Sequence, residues 1–274
     1  MPALTVSAAN SGVKFGCQTN AWKATIRDFA TLMPVLKRIK EFAFDGFEAS
    51  FRYIQDRFTD ARAARAALNR TALRFFGVHI FLLNYDPQTS IAPAELYRKV
   101  ADGGALLGAE RLILSGAGLI RDGLLDREAL NRKCDALNTA AQYARSKGLK
   151  TAYHNHGAEF VSGGAEMQGL LSGTDPALVG FILDAGHARR AKVDVAGFLR
   201  KHHRRLQGVH LRDLSDRPGD NPELGPFDLA ALAAAIQKTG WDGWLIVEEE
   251  DAVNKRGDAA VEPARQKLRE VFKK

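Results

Sequence analysis

The chain has 274 residues, of which 46% are hydrophobic and 26% charged, a composition that excludes a mainly disordered chain. No run of about 18 apolar residues occurs, so we expect no membrane-spanning segment. Lys and Arg number 39 against 32 Asp and Glu, which gives a net charge of +7. Many of these basic residues follow helical patterns at 57–70 and 265–274, as solvated helix faces do, and therefore do not predict a nucleic-acid partner. Residues 1–11 lack a charged start followed by an apolar run, so a cytoplasmic location is expected.

Short apolar runs alternate with segments of helical periodicity along the whole chain. The predicted strands lie at 13–18, 46–48, 74–80, 111–114, 150–154, 179–184, 208–211 and 244–248. The predicted helices lie at 28–41, 58–73, 93–107, 126–147, 165–171, 195–203, 228–238 and 258–272. Eight alternating units predict an α/β fold, a (β/α)8 TIM barrel, with residues 1–12 as a flexible tail and 13–274 as a single domain. A doubly wound open sheet is the alternative, although no glycine-rich dinucleotide fingerprint follows the first strand.

Polar side chains end the last four predicted strands at regular intervals. His154, Asp184, His210 and Glu248 are 30, 26 and 38 positions apart, close to the length of one barrel unit. Active sites of such barrels lie at the carboxyl ends of the strands, so these side chains are expected to converge. Two imidazoles and two carboxylates form a mixed nitrogen and oxygen ligand set, which predicts one divalent metal ion. Mn is expected first, and Zn, Co, Fe, Ni and Mg are the alternatives.

Motifs at the same strand ends resemble one known family. They are Tyr-His-Asn-His at 153–156, Leu-Asp-Ala-Gly-His at 183–187, His-Leu-Arg-Asp at 210–213 and Ile-Val-Glu at 246–248. The chain resembles the xylose isomerase-like TIM barrels, the sugar phosphate isomerase/epimerase superfamily, over nearly its whole length. The resemblance implies one divalent metal held by the same four residues, and a sugar or keto-sugar as substrate.

His154 departs from the pattern of many epimerases of that family, which carry Glu at this position. A metal-bound imidazole is a poor base, so a mechanism with two symmetric glutamates is not expected. The Tyr-His-Asn-His version resembles the branch near inosose dehydratases and enzymes acting on keto-sugars. We expect proton abstraction next to a carbonyl through a metal-stabilised enediolate, with Glu248 as the first candidate for the base and His156 as the second.

The remaining candidate residues are assigned to substrate binding. His187, by resemblance, contacts a substrate hydroxyl. Arg212 is expected to bind a substrate oxygen, with a salt bridge to Asp213 or Glu223 as the alternative. Further candidates for the pocket lining are Glu48, His79 and Trp22, and Glu159 is a candidate to orient His154 or His156.

Four functions fit these expectations. The first is a metal-dependent sugar isomerase or epimerase, and the second is a lyase or dehydratase that begins with the same proton abstraction. The third is a DNA-repair endonuclease on the same barrel, disfavoured because the fourth strand ends in Leu114-Ser115 without a histidine ligand. The fourth is a non-catalytic sugar-binding barrel. The expected partner is a small-molecule sugar, with no nucleic acid or membrane and with a homo-oligomer left open.

Overall fold

Eight parallel strands form a closed barrel in the computed structural model, which describes residues 12–212, 214, 227–249 and 257–272. The barrel strands are β1 (Lys14–Gln18), β2 (Gly46–Ser50), β3 (Arg74–Ile80), β4 (Arg111–Leu114), β5 (Lys150–His154), β6 (Val179–Asp184), β7 (Leu206–Leu211) and β8 (Trp244–Val247). Each strand pairs with its neighbours in chain order, and β8 returns to pair with β1. The predicted (β/α)8 barrel is confirmed, and the open sheet is excluded.

Helices surround the barrel and provide the crossovers that parallel strands need. They are α1 (Phe29–Glu41), α2 (Ala61–Arg70), α3 (Ala94–Leu107), α4 (Arg127–Ser146), α5 (Val161–Gly173), α6 (Ala185–Arg190), α7 (Val195–His202), α8 (Leu229–Thr239) and α9 (Asp258–Phe272). Their apolar faces pack on the outer face of the strands and build the main core. None of the helices within the described ranges is both long and apolar enough to cross a bilayer.

Beyond shifts of up to three residues at element ends, as in α2, the structure differs from the predicted elements at three places. α5 begins earlier than expected, but residues 162–164 inside it have positive φ angles, so regular helix starts close to the predicted residue 165. α6 was not predicted, because it follows β6 directly and has only six residues. A two-stranded hairpin, Ile120–Arg121 with Leu124–Leu125, also escaped prediction, since each strand is only two residues long.

The remaining features are the N-terminal segment, the domain organisation and the two cysteines. The predicted tail lies outside the described residues except for Gly12, and both the tail and the single domain stay predictions. Cys17 and Cys134 are both buried free thiols.

Inside the barrel, an apolar layer underlies the carboxyl ends of the strands. The layer is formed by Phe76, Ile113, Ala152, Ile182, Trp244 and Ile246. Because side chains in a strand alternate between faces, the residue two positions further on points into the same lumen. That residue is His154 in β5, Asp184 in β6, and Glu248 just after β8. The strand pattern therefore places a polar layer directly above the apolar one.

Candidate active site

The four predicted metal ligands meet in the polar layer of the lumen. His154, Asp184, His210 and Glu248, which we call the central cluster, are each at most 2% exposed. One ligand atom from each lies within 4.8 Å of all the others. His154 Nε2 is 3.1 Å from His210 Nδ1, 3.6 Å from Asp184 Oδ2 and 3.8 Å from Glu248 Oε2. Among the described residues, these four side chains form a group whose ligand atoms lie close enough together to hold one metal ion.

Glu48 extends the cluster across the lumen from β2. Its Oε2 lies 2.8 Å from Nε2 of His210, and its Oε1 lies 3.0 Å from Nδ1 of His79. The other ring nitrogen of His79 is 2.9 Å from the Ser115 hydroxyl. Glu48 and Ser115 are fully buried, and His79 is 5% exposed. Of the predicted pocket residues, Glu48 therefore contacts a central imidazole, while His79 connects Glu48 to β4.

Arg212 is placed against both central carboxylates. Its Nε donates to Asp184 Oδ2 at 2.6 Å, and one of its terminal nitrogens lies 3.2 Å from Glu248 Oε2. The predicted alternative partners, Asp213 and Glu223, lie outside the described residues. Arg212 provides a positive charge at the edge of the central cluster.

α6, the helix that was not predicted, positions His187 beside the cluster. Asp184 is the N-cap residue of α6, and its Oδ1 accepts the backbone N–H of His187 at 2.9 Å. Such side-chain caps satisfy donors that a helix start leaves unpaired. His187 Nε2 is 3.9 Å from Asp184 Oδ2. One carboxylate thus serves both the helix start and the central cluster.

A cavity of about 450 Å³ opens directly above the central cluster. Its lining includes His154, Glu248, His79, His156, His187, Arg212, Gln18, Asn20, Lys23, Ser50, Arg52, Tyr53 and Phe81. This volume is in the range of small-molecule sites. The structure thus brings His156, His187, Arg212 and His79 together at one cavity with the central cluster.

Trp22, like the fully buried Glu48, is placed differently from the predicted substrate residues His79, His187 and Arg212, which line the cavity. Its ring is 8% exposed, and its indole N–H donates to Asp258 Oδ1 at 3.2 Å. It is absent from the lining of the cavity, as far as the described residues define that lining. In this structure Trp22 packs the start of α9 against the loop that follows β1.

Three polar residues of the site were missing from the prediction or were given another role. Asn20 donates to Glu248 Oε1 at 3.1 Å, and the Asn155 side chain accepts the backbone N–H of Asp184 at 3.0 Å. Glu159 accepts the backbone N–H of His156 at 2.9 Å and the Tyr153 hydroxyl at 2.5 Å. Glu159 therefore holds the main chain at His156, whereas the prediction had it orient an imidazole. The position of Asn155 between two site histidines was the available signal for its role.

The electrostatics of the site favour a positive charge at its centre. Burial disfavours a charged His210, but Glu48 and Glu248 outweigh it and raise the pKa of His210 to about 10. Burial likewise opposes ionisation of Asp184, yet Arg212 lowers its pKa to about 2. Burial, together with His210, lowers the pKa of His154 to about 4, so this imidazole is neutral at pH 7.

These residues fit a divalent metal ion. Neutral imidazole and ionised carboxylate are the forms that ligate metals, and the lone pairs of the central cluster converge. His210 also has the carboxylate partner that metal-bound histidines typically keep on their second nitrogen. By contrast, Nδ1 of His154 is buried without a hydrogen-bond partner among the described residues.

The chain is a TIM barrel, a closed (β/α)8 barrel, with a buried His/Asp/Glu cluster below a cavity. The model of the xylose isomerase-like TIM barrel family matches residues 36–272. The chain therefore belongs to the xylose isomerase-like TIM barrel family, as its strand-end motifs predict.

Curated relatives include inosose dehydratases of two bacteria. The enzyme of Lacticaseibacillus casei is 26% identical over 174 residues, which are 53% of this chain and 58% of the relative. That of Bacillus licheniformis is 31% identical over 142 residues, which are 45% and 47% of the two chains. The chain thus spans about half the length of the curated relatives it matches.

Solved structures with the same fold cover nearly the whole chain. A sugar phosphate isomerase/epimerase from Parabacteroides distasonis has a TM-score of 0.74 at 19% identity, covering 99% of this chain and 98% of that one. A 3-keto-D-glucoside 4-epimerase from E. coli has a TM-score of 0.67 at 18% identity, covering 93% and 97%. At these identities the likeness supports the fold alone.

Proposed function

We propose that this protein is a metal-dependent enzyme that isomerises or epimerises a sugar or keto-sugar. The observation that carries the proposal is the cavity of about 450 Å³ that opens onto the buried central cluster. The kinds of substrate named for the structural relatives are consistent with it. His154, Asp184, His210 and Glu248 would hold the metal, with Mn²⁺ as the first candidate. The metal would supply a Lewis acid that stabilises negative charge on a substrate oxygen.

The chain's own side chains then have separable tasks. Arg212 and His187, at the cavity wall, are placed to donate hydrogen bonds to substrate oxygens. Tyr53 and Phe81 present aromatic faces to the same space, where the C–H face of a sugar ring can pack. Because the cluster lies below the cavity and is nearly inaccessible, a bound sugar would exclude water from it.

Two side chains are candidates to remove the proton next to the substrate carbonyl. Glu248 is engaged at both oxygens, and Arg212 and His210 overcome the effect of burial to hold its pKa well below the usual range. His156 lines the cavity, and burial with neighbouring His154 and His187 lowers its pKa to about 2, which keeps its ring neutral. A negative charge developing on the substrate would raise the proton affinity of either group. We assign the proton transfer to His156 first, because Glu248 is committed to other contacts.

One observation favours a second reaction, elimination of a β-hydroxyl after the same proton abstraction. Position 154 is an imidazole, so the cavity lacks a second carboxylate on β5 for return of a proton from the opposite face. The similarity to inosose dehydratases agrees with this alternative. A dehydratase would use the same central cluster and the same base.

The test combines metal content with a substrate panel in D₂O. The protein loaded with Mn²⁺ would be incubated with D-allulose, L-ribulose, a 3-keto-glucoside and inosose, with NMR monitoring of exchange and products. Isomerase or epimerase activity gives deuterium incorporation with a new sugar, whereas elimination gives a growing enone absorbance. The matched variants are His156→Gln in the cavity and His203→Gln, an imidazole at the end of α7 that bonds the Arg200 carbonyl. We expect loss of turnover in the first and wild-type turnover in the second.

The outcomes separate the remaining functions. One equivalent of bound metal without exchange or turnover on any of these sugars would favour a non-catalytic sugar-binding barrel. No bound metal after incubation with Mn²⁺, Zn²⁺ or Co²⁺ would refute the proposal. Cleavage of an abasic DNA duplex would point to the endonuclease.

A further inference from the structure

A line of hydrogen bonds runs from the end of β4 through β3 and β2 to His210 of the central cluster on β7. It joins Ser115 to His79, His79 to Glu48, and Glu48 to His210. We propose that Glu48 is a positioning residue, which fixes the tautomer of His210 so that its Nδ1 lone pair points into the central cluster. This inference deepens the proposed function and rests on it, since it assigns a task to a residue that does not itself belong to the metal-ligand set.

The direction of each hydrogen bond follows from one fact, that an ionised carboxylate only accepts. The two oxygens of Glu48, whose side chain is an ordinary carboxylate at pH 7, each face one imidazole nitrogen. His210 must then donate its Nε2–H to Oε2, and His79 must donate its Nδ1–H to Oε1. The other ring nitrogen of His79, Nε2, lies 2.9 Å from the Ser115 hydroxyl. Glu48 therefore sets the tautomers of both histidines.

The tautomer decides whether His210 can serve as a ligand. A metal ion bound at the central cluster would displace the proton from Nδ1 of His210, the atom that lies 3.1 Å from His154 Nε2 and also contacts Glu248. The ring would then keep the Nε2–H that Glu48 holds. The opposite tautomer would place a proton at the centre of the cluster and a lone pair against the Glu48 carboxylate. Two acceptors facing each other in a buried site are costly, because neither has water as an alternative partner.

The barrel holds Glu48 in place from both sides. Its strand pairs with β3 through a register shift between Phe47 and Glu48, and such irregularities re-aim side chains. His79 is fixed in turn, because both of its ring nitrogens are engaged. Neither oxygen of Glu48 is exposed to solvent that could replace these bonds. The same contacts leave His79 without a ring nitrogen for a substrate, although its ring lines the cavity.

The test measures Co²⁺ affinity and the His210 tautomer in three variants, without any substrate. Glu48→Leu removes both acceptors and is expected to weaken Co²⁺ binding by about 10- to 100-fold, the effect typical of lost partners of metal-bound histidines. Glu48→Gln retains one carbonyl acceptor for Nε2–H and is expected to lose less than about 10-fold. Ser115→Ala, at the far end of the line, is expected to bind within about threefold of wild type. Circular dichroism verifies that each variant is folded.

The second readout is the pattern of ring cross-peaks of ¹⁵N-labelled histidines in the Zn²⁺-loaded protein. His210, assigned by the peaks lost in His210→Gln, is expected to show a downfield Nε2–H proton, hydrogen-bonded to a side-chain oxygen, in wild type and in Glu48→Gln, and to lose that downfield shift in Glu48→Leu. An unchanged shift of the His210 Nε2–H proton, or Co²⁺ affinity within threefold of wild type in a folded Glu48→Leu, would overturn the inference. If the wild-type protein bound no metal, that result would refute the proposed function. If it bound metal but turned over no sugar, the proposed function would fail, and these binding readouts would still decide the role of Glu48.

Discussion

The ion pair between Lys133 and Glu166 offers a strong test of what stabilises the loop that follows β4. Both side chains are fully buried, and Lys133 Nζ lies 2.8 Å from Glu166 Oε1. The same Nζ donates to the Ala117 carbonyl at 2.8 Å, and Glu166 Oε2 accepts the Leu119 N–H at 2.7 Å. The pair therefore anchors the loop that follows β4 to α4 and α5.

Replacing Lys133 by Met retains most of the aliphatic stem but leaves the Glu166 carboxylate buried without its cation. Breaking a buried pair in this way costs about 3–5 kcal/mol, because the remaining charge is uncompensated. The double variant Lys133→Met/Glu166→Gln removes that charge and keeps an acceptor for the Leu119 N–H. We expect it to recover at least half of the lost free energy of unfolding.

Urea unfolding of the metal-free protein at pH 7, followed by circular dichroism, measures these differences at constant m-value. The matched control is Lys147→Met, which breaks an ion pair with Asp102 that is about 40% exposed. Exposed pairs are screened by water and salt, so this variant should unfold close to wild type. A loss below about 1 kcal/mol in Lys133→Met, or a double variant no more stable than the single one, would refute the reasoning.

Three further predictions concern pH, the cavity wall and a helix start. The free energy of unfolding of the metal-free protein should fall as the pH is lowered from about 6.5 to 4. The depressed pKa values of His154 and His156 keep both neutral in the folded state, while the unfolded chain takes up protons. Urea titrations at both pH values test this, and a flat profile contradicts it. His210 does not oppose this loss. Its pKa is raised in the folded state, so its stabilising contribution is already complete below pH 6.5. Gly186→Ala would place a methyl group 2.9 Å from the Arg212 Cβ. We therefore expect at least tenfold lower turnover on any substrate found, with nearly unchanged thermal stability. An equal loss of turnover when the substitution is made in Arg212→Lys would argue against this contact. Asp126→Ala removes the N-cap of α4 at a cost of about 1 kcal/mol, or about 2–4 °C in the melting temperature, measurable by calorimetry, whereas Asp126→Asn should retain most of the stability.

The sequence predicted those parts of the protein that repeat along the chain. Each barrel unit has its own apolar strand and its own amphipathic helix, so local periodicity was sufficient to predict the fold. The convergence of His154, Asp184, His210 and Glu248 could be predicted for the same reason, since they occur at equivalent heights of successive units. Because the active sites of TIM barrels lie at the carboxyl ends of the strands, side chains at these positions are expected to meet at one centre.

Contacts across the lumen could not be predicted in this way. Glu48 and His210 are 162 positions apart and lie on strands that are not neighbours in the barrel. Their contact depends on barrel closure and on the register shift at Glu48, neither of which leaves a local pattern. Trp22 was assigned to the cavity from its position after β1, but its indole N–H is directed to Asp258, 236 positions away.

Closure of the barrel by β8 also bears on how the protein folds. The central cluster gains Glu248 only when β8 pairs with both β1 and β7, which are far apart in the chain. Such long-range pairings form slowly, because the entropy of closing the chain is lost before the contacts are made. A ribosome-bound chain that ends before β8 would therefore carry His154, Asp184 and His210 without a finished site. Metal would bind the completed barrel and stabilise it by mass action, rather than nucleate its folding.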